Sequence, residues 1–203
     1  SARGRLRTSH PLVRADVPFV VWGAVNRNNA YCAVGSDNAL GGRLAGKHFV
    51  GRETRRWLFV GNIEHEEILL RYEGLVAVAK EANSGIEVNT LRAVDMSYAG
   101  VCSVAAEWIS NNEAPDAVFA FSDTAAMAII SVFRDAGLVA PRDYALVGYN
   151  NIPPAAHFTP AITTIEQETH LAGSILVEKL MQRIDGANPK SAMLQTRIII
   201  RES

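Results

Sequence analysis

The sequence predicts an α/β protein with a parallel sheet that is covered by helices on both faces. From Arg56 onward, short apolar segments alternate with amphipathic segments of helical length. The short segments are apolar at consecutive positions, as expected for strands that are covered on both faces. Polar residues follow these segments directly, at the end of a strand where open parallel sheets bind ligands.

The predicted elements follow one another with short connections. The predicted strands are 17–23, 31–35, 57–60, 88–94, 117–121, 144–148, 162–165 and 192–200. The predicted helices are 40–50, 66–82, 99–111, 124–136 and 170–185. Residues 83–85 (Asn-Ser-Gly) end the second helix, Ser122-Asp123 caps the fourth at its start, and Gly137 follows its end.

Composition indicates an ordinary globular protein. The 203 residues are 48% hydrophobic and carry a net charge of −1, so the chain lacks the basic excess of a self-sufficient nucleic-acid binder. No apolar segment approaches the roughly 20 residues that cross a bilayer, and the basic start has no apolar core of a secretory signal behind it. That basic start is interpreted as a solvated segment; its arginines are Arg3, Arg5, Arg7 and Arg14.

The two cysteines indicate a reducing compartment. Cys32 and Cys102 have no CxxC neighbour and no metal-like spacing. Two free thiols are the favoured interpretation, and a single disulfide is the alternative.

Three motifs resemble active sites but have simpler interpretations. Residues 41–48 match the GxxxxGK spacing of a phosphate loop, yet His48 replaces the hydroxyl that would hold magnesium, and the apolar positions are those of a helix. Residues 64–67 (Glu-His-Glu-Glu) are consecutive, and acidic residues favour the start of a helix. Ser122 has no GxSxG turn around it.

The residues that follow the predicted strands suit a polar ligand. They comprise one guanidinium, several amides and hydroxyls, and one or two apolar walls, without a general-base histidine or paired carboxylates. Such groups favour binding a sugar, a polyol or a similar metabolite without transforming it, although each residue singly is also explained as a cap, a turn or a solvated charge. The set is Gly61, Asn62, Arg71, Asp95, Met96, Ser122, Asp123, Tyr149, Asn150, Asn151, Glu166 and Gln167.

Several segments together resemble the regulatory core of LacI/GalR-type bacterial transcription repressors. In chain order they are VPFVVWG, SDNALGGRLAGKHFV, WLFVGN…RYEGL, PDAVFAFSDTAAMAIISVFRDAGLVAPRDYALVGYNN, FTPAITTIEQ and the terminal RES. The part from Pro115 to Gln167 is the most specific, because three motifs occur together there at the family's spacing: the helix start DAVFAFSD, the turn VGYN and the segment TPAITTIEQ.

This resemblance implies a periplasmic-binding-protein-like type I fold of two doubly wound parallel-sheet lobes, the first incomplete. Residues 1–36 and 168–194 would form part of the N-terminal lobe, and residues 37–167 and 195–203 the C-terminal lobe. The helix-turn-helix headpiece is absent from this chain, and the incomplete lobe is expected to be unstable alone because its strand edges are exposed.

The resemblance also implies which residues bind the effector between the lobes. Arg71 matches the family's ligand-clamping arginine, Ser122 its pocket asparagine and Asn150 its pocket aspartate. Met96 stands where an aromatic wall is frequent, and Gln167 matches the cleft glutamine. Because Asn150 replaces an aspartate, a charge that would pair with sugar hydroxyls is missing.

The function predicted from this resemblance is that of the effector-sensing and dimerisation core of a cytoplasmic, homodimeric regulator that is not an enzyme. It would bind a sugar-like effector without a cofactor or metal, and operator DNA only through the missing headpiece. One alternative is an exported sugar receptor of a transporter. The other is a small α/β enzyme, which would need a base such as Asp123 or His157.

Overall fold

The computed structural model describes residues 17–26, 30–82 and 85–203. The chain divides into two compact units, one of residues 1–37 and 167–196, the other of residues 38–166 and 197–203. We call them unit 1 and unit 2. The four arginines of the basic start, and Asn83 and Ser84 of the predicted helix stop, lie outside the described residues.

The elements of the described residues alternate between strands and helices. The strands are β1 (Val21–Trp22), β2 (Ala33–Ser36), β3 (Arg56–Val60), β4 (Glu87–Leu91), β5 (Ala117–Ala120), β6 (Ala145–Tyr149), β7 (Thr163–Gln167), β8 (Ala192–Leu194) and β9 (Thr196–Ile199). The helices are α1 (Asn38–Val50), α2 (Glu66–Ala82), α3 (Tyr98–Asn111), α4 (Asp123–Asp135), α5 (Pro153–His157) and α6 (Thr169–Ile184).

The strands form two sheets, and the predicted α/β class with parallel sheets is confirmed. One sheet has the order β1-β2-β8, and the other has the order β4-β3-β5-β6-β7-β9. β1, β2 and β8 pair in parallel, as do β4, β3, β5, β6 and β7. The carboxyl ends of β3 to β7 therefore meet at one edge of the six-stranded sheet.

Most predicted elements occur within a few residues of their expected bounds, and α2 has the expected bounds. The single strand predicted over 192–200 is wrong, because the chain leaves the three-stranded sheet after Leu194 and enters the six-stranded sheet at Thr196. The Leu194 carbonyl accepts from the Asp37 N–H, and the Thr196 hydroxyl donates to the Asp37 carbonyl. The predicted strand 17–23 shortens to β1, and α5 has no counterpart among the predicted helices.

Unit 2 has an aromatic core between its sheet and its helices. Phe59 and Phe119, on neighbouring strands, meet edge to face with ring centroids 5.6 Å apart, and Trp57 meets Phe49 of α1 at 5.4 Å. These side chains are at most 1% exposed. In unit 1 a smaller apolar cluster forms around Val34 of β2.

Helices α1 and α2 touch through their backbones. A Cβ on Gly42 would lie 1.9 Å from the Arg71 carbonyl oxygen, and one on Gly74 would lie 2.1 Å from the Ala39 carbonyl oxygen. The helical interpretation of residues 41–48 is thus confirmed, and Gly42 serves helix packing. This close approach fixes the backbone at Arg71.

Within the described residues, no helix is long and apolar enough to cross a bilayer. Cys32 and Cys102 are both free thiols, so the disulfide alternative is wrong.

Candidate functional site

Three polar residues form a row along the carboxyl edge of the six-stranded sheet. Val60 pairs with Ala120, and Phe119 pairs with Val147. Continuing this parallel register past the strand ends brings Asn62, Ser122 and Asn150 to one level. Two of the predicted site residues, Ser122 and Asn150, thus have matching register positions after neighbouring strands, and Asn62 has the matching position after β3.

Arg71 of α2 lies buried among groups from three other elements. Its Nε donates to Asn38 Oδ1 at 2.8 Å, and its Nη1 donates to the Phe121 carbonyl at 2.7 Å. The guanidinium carbon lies 3.6 Å from the centroid of the Tyr149 ring, close enough for a cation–π contact. Tyr149 also donates from its hydroxyl to Asn38 Oδ1 at 3.2 Å.

The Arg71 guanidinium is a buried charge without an ion pair in the described part of the chain. The residue is 7% exposed, and no carboxylate of the described residues lies within 4.0 Å of its nitrogens. Burial lowers its pKa from the ordinary value, while Tyr149 and Glu67 act in the opposite direction. An arginine has five N–H donors, so the bonds to Asn38 and Phe121 and the contact with Tyr149 do not use all of them.

Ser122 and Asp123 have separate roles at the start of α4. The Ser122 hydroxyl accepts from the Ala125 N–H at 3.2 Å, so the predicted N-cap is confirmed. Asp123 is fully buried and accepts from the Thr164 hydroxyl at 2.5 Å and from the Ile152 N–H at 2.8 Å. Burial raises the pKa of the Asp123 carboxyl to about 6, although these hydrogen bonds act to lower it.

Asn150 and Asn151 lie in a turn of unusual backbone conformation. Their φ angles are 104° and 53°, in the region that L-residues other than asparagine and aspartate seldom adopt. The Asn150 N–H donates to the Ile165 carbonyl at 2.8 Å, which holds the turn against β7. The turn thus ends β6 and takes Asn150 out of the strand.

The other two predicted site residues, Met96 and Gln167, follow or end strands β4 and β7. The sequence places Met96 directly after a strand ending near Val94, but β4 ends at Leu91. Met96 is partly buried and packs against the core of unit 2. Gln167 is the last residue of β7 and not a residue beyond the strand, and the chain passes from unit 2 into unit 1 there.

Sequence reasoning misses the partners of Arg71. Asn38 is not singled out, because Ser-Asp-Asn before an apolar periodic segment is explained by the start of a helix. Tyr149 belongs to the set of strand-end residues, but no sequence pattern indicates that its ring stacks on a guanidinium. No group of three or more possible metal-ligating side chains occurs among residues 17–26, 30–82 and 85–203.

These features define a ligand-binding α/β module, and comparison with known proteins assigns its family. The chain matches the periplasmic binding protein-like domain family over residues 47–203. It is 32% identical over 197 residues to the HTH-type transcriptional repressor PurR of Photobacterium profundum, an alignment that covers 94% of this chain and 58% of that protein.

Solved structures of regulators have the same fold. A LacI family transcriptional regulator from Enterococcus faecium with bound ribose is 25% identical, with a TM-score of 0.83, over 97% of this chain and 74% of that one. The transcriptional regulator CelR in complex with cellobiose is 29% identical, with a TM-score of 0.82, over 95% of this chain and 60% of that one.

The chain belongs to the periplasmic binding protein-like domain family, and the predicted resemblance to the effector-binding core of LacI-type regulators is confirmed. It spans about half the length of the curated relatives it matches, 58% of the Photobacterium repressor and 51% of that of Aliivibrio salmonicida.

Proposed function

We propose that this chain is the effector-sensing and dimerisation core of a cytoplasmic, DNA-binding transcriptional regulator of the LacI type. Its ligand is a small, oxygen-rich molecule of the sugar class, bound at the carboxyl edge of the six-stranded sheet. Operator binding belongs to a headpiece outside this chain, and the chain itself catalyses no reaction. The regulators among the relatives favour this proposal over an exported receptor.

The observation that carries the proposal is the buried guanidinium of Arg71. A charge removed from water costs several kcal/mol unless it is paired and fully hydrogen-bonded. Arg71 has two neutral hydrogen-bond acceptors and an aromatic face, which offset only part of this cost. Hydroxyl or carbonyl oxygens of a ligand would supply further acceptors, so ligand binding explains why this charge is kept there.

The neighbouring polar groups extend the same chemistry. The row of Asn62, Ser122 and Asn150 offers amides and a hydroxyl, which both donate and accept hydrogen bonds. Sugars present hydroxyls with the same double capacity, and the two similar regulators hold ribose and cellobiose. A sugar-like effector is therefore the class of ligand we propose, with Arg71, Met96, Ser122, Asn150 and Gln167 as its binding residues.

Effector binding would act on DNA binding through a conformational equilibrium. An effector shifts such an equilibrium only by the difference between its affinities for the two states, and the coupling between effector and operator is reciprocal. In the intact homodimer, the state favoured by the effector would set the arrangement of the two headpieces.

The test is calorimetric titration of the chain with ribose and with cellobiose, before and after Arg71→Met. Methionine fills a similar apolar volume without the charge, so we expect about a hundredfold loss of affinity, the upper end of what hydrogen bonds to a charged group contribute. Arg43→Met is the matched control, because Arg43 pairs with Glu81 at the surface and belongs to no predicted site. Equal sugar affinity in wild type and Arg71→Met would remove Arg71 from the site.

A further inference from the structure

We propose that Arg201, near the end of the chain, is a positioning residue for the effector site. It would hold the Asn150-Asn151 turn in its left-handed conformation by fixing the side-chain amide of Asn151. This inference rests on the proposed function, because it concerns the turn that presents Asn150 to the ligand.

The turn needs outside support. Two successive non-glycine residues with positive φ each store conformational strain, which persists only where surrounding contacts hold it. Three backbone N–H groups of the turn donate to other elements. The acceptors are the Ile165 carbonyl for Asn150, Thr164 Oγ1 at 3.3 Å for Asn151, and Asp123 Oδ2 at 2.8 Å for Ile152.

The side chain of Asn151 is held at both ends of its amide. Its Oδ1 accepts from Arg201 Nη2 at 2.6 Å, and its Nδ2 donates to Glu166 Oε1 at 2.7 Å. Glu166 also pairs with Arg197 of β9. This arrangement fixes which end of the amide faces which neighbour, because the guanidinium only donates and the carboxylate only accepts.

Arg201 is itself fixed to the sheet. Its Nη1 donates to the Ile162 carbonyl at 2.7 Å, and its backbone N–H donates to the Thr163 hydroxyl at 3.0 Å. Two residues later, the fully buried Ser203 donates from its hydroxyl to the Leu146 carbonyl of β6 at 2.9 Å. A rigidly anchored guanidinium can therefore set the position of the Asn151 amide.

The consequence concerns Asn150. Its φ of 104° is linked to that of Asn151, since the two residues form one turn. Without the bond from Arg201, the turn loses a charge-assisted hydrogen bond and can relax toward negative φ. Asn150 would then leave the level of Ser122, so that Arg201 affects ligand binding without touching the ligand.

The experiment compares wild type with Arg201→Met and Arg201→Lys. Lysine keeps the charge, but it lacks the planar guanidinium that donates to Asn151 and Ile162 at the same time. Arg142→Met is the control, because Arg142 pairs with Asp143 at the surface. NMR follows the strong intraresidue amide-to-Hα cross-peaks that positive φ gives at Asn150 and Asn151. Calorimetry with ribose and cellobiose measures affinity, and thermal melting shows that each variant is folded.

We expect both Arg201 variants to lose the cross-peaks and to bind about tenfold more weakly or worse, the change that one charge-assisted hydrogen bond gives. In a double-mutant cycle, Arg201→Lys should weaken binding little further once Asn150→Ala is present. Additive losses would overturn the positioning role, as would retained cross-peaks in both variants. If wild type binds neither sugar, the proposed ligand class fails, while the cross-peaks still decide the role of Arg201.

Discussion

Replacing Gly42 by alanine tests the helix contact that positions Arg71. The new Cβ would lie 1.9 Å from the Arg71 carbonyl oxygen and 2.9 Å from the Leu75 nitrogen. Both neighbours are backbone atoms, so no change of side-chain rotamer relieves the contact. Reaching even a tight separation of 3.0 Å requires α1 and α2 to part by about 1.1 Å (3.0 − 1.9) at this point.

Two opposing effects set the magnitude. Overpacking of a rigid contact costs about 1–3 kcal/mol, and the upper end applies because backbone meets backbone. Alanine gains about 1 kcal/mol over glycine in a helix interior. The expected net loss is about 2 kcal/mol of unfolding free energy for unit 2. With a typical denaturant slope, that loss lowers the urea midpoint by about 1 M.

The assay is urea unfolding followed by tryptophan fluorescence, because Trp57 and Trp108 both lie in unit 2. Gly51→Ala is the control in the same unit, since its Cβ would meet carbonyl oxygens only at 3.5 Å. The control midpoint should stay within about 0.3 M of wild type. If Gly42→Ala matched or exceeded wild type in stability, α1 and α2 could not be in backbone contact.

Three further predictions concern the polar groups of unit 2. Burial raises the pKa of Asp123 to about 6, above the ordinary 3.8, so the native state keeps a proton that the unfolded chain loses between these values. The unfolding free energy of wild type relative to that of Asp123→Asn should therefore fall by about 3 kcal/mol as pH rises from below about 4 to above about 6. If the unfolding free energies of the two proteins changed with pH in parallel, this prediction would be wrong. Ser122→Ala and Ser97→Ala each remove an N-cap hydrogen bond, so each should lower the stability measured by thermal melting by about 1 kcal/mol. Only the Ser122 variant should also bind sugar more weakly. Equal sugar affinities of the two variants would exclude Ser122 from the site. Arg71→Met should keep the unfolding free energy within about 1 kcal/mol of wild type. The variant loses two hydrogen bonds, but it no longer has a charge buried away from water, and the two effects offset each other. A loss above about 3 kcal/mol would show that Arg71 is mainly structural.

Local pattern is sufficient for elements that depend on their own residues. Helix α2 is predicted at its observed bounds because acidic residues open it, apolar residues recur at helical spacing, and Asn-Ser-Gly follows it. The same holds for the Ser122 cap of α4, since a cap is a contact between residues three apart. The row at the sheet edge is foreseeable in part, because polar residues after parallel strands must meet there.

Tertiary structure decides whatever depends on residues far apart in the chain. The segment 192–200 has the composition of one strand, but its two halves pair with different sheets, and only the positions of β2 and β7 determine that break. Apolar spacing already predicts that residues 41–46 are helical, but only the tertiary structure shows that Gly42 lets α2 approach at backbone distance.

The partners of Arg71 show the same division. The sequence by itself indicates an arginine near a strand end and a resemblance to ligand-clamping arginines. It could not show that Asn38, 33 residues away, and Tyr149 enclose the guanidinium, because hydrogen bonds and ring contacts over such separations leave no local periodicity. The charge on Arg71 was determined by the sequence, and its burial beside Asn38 and Tyr149 was decided by the fold.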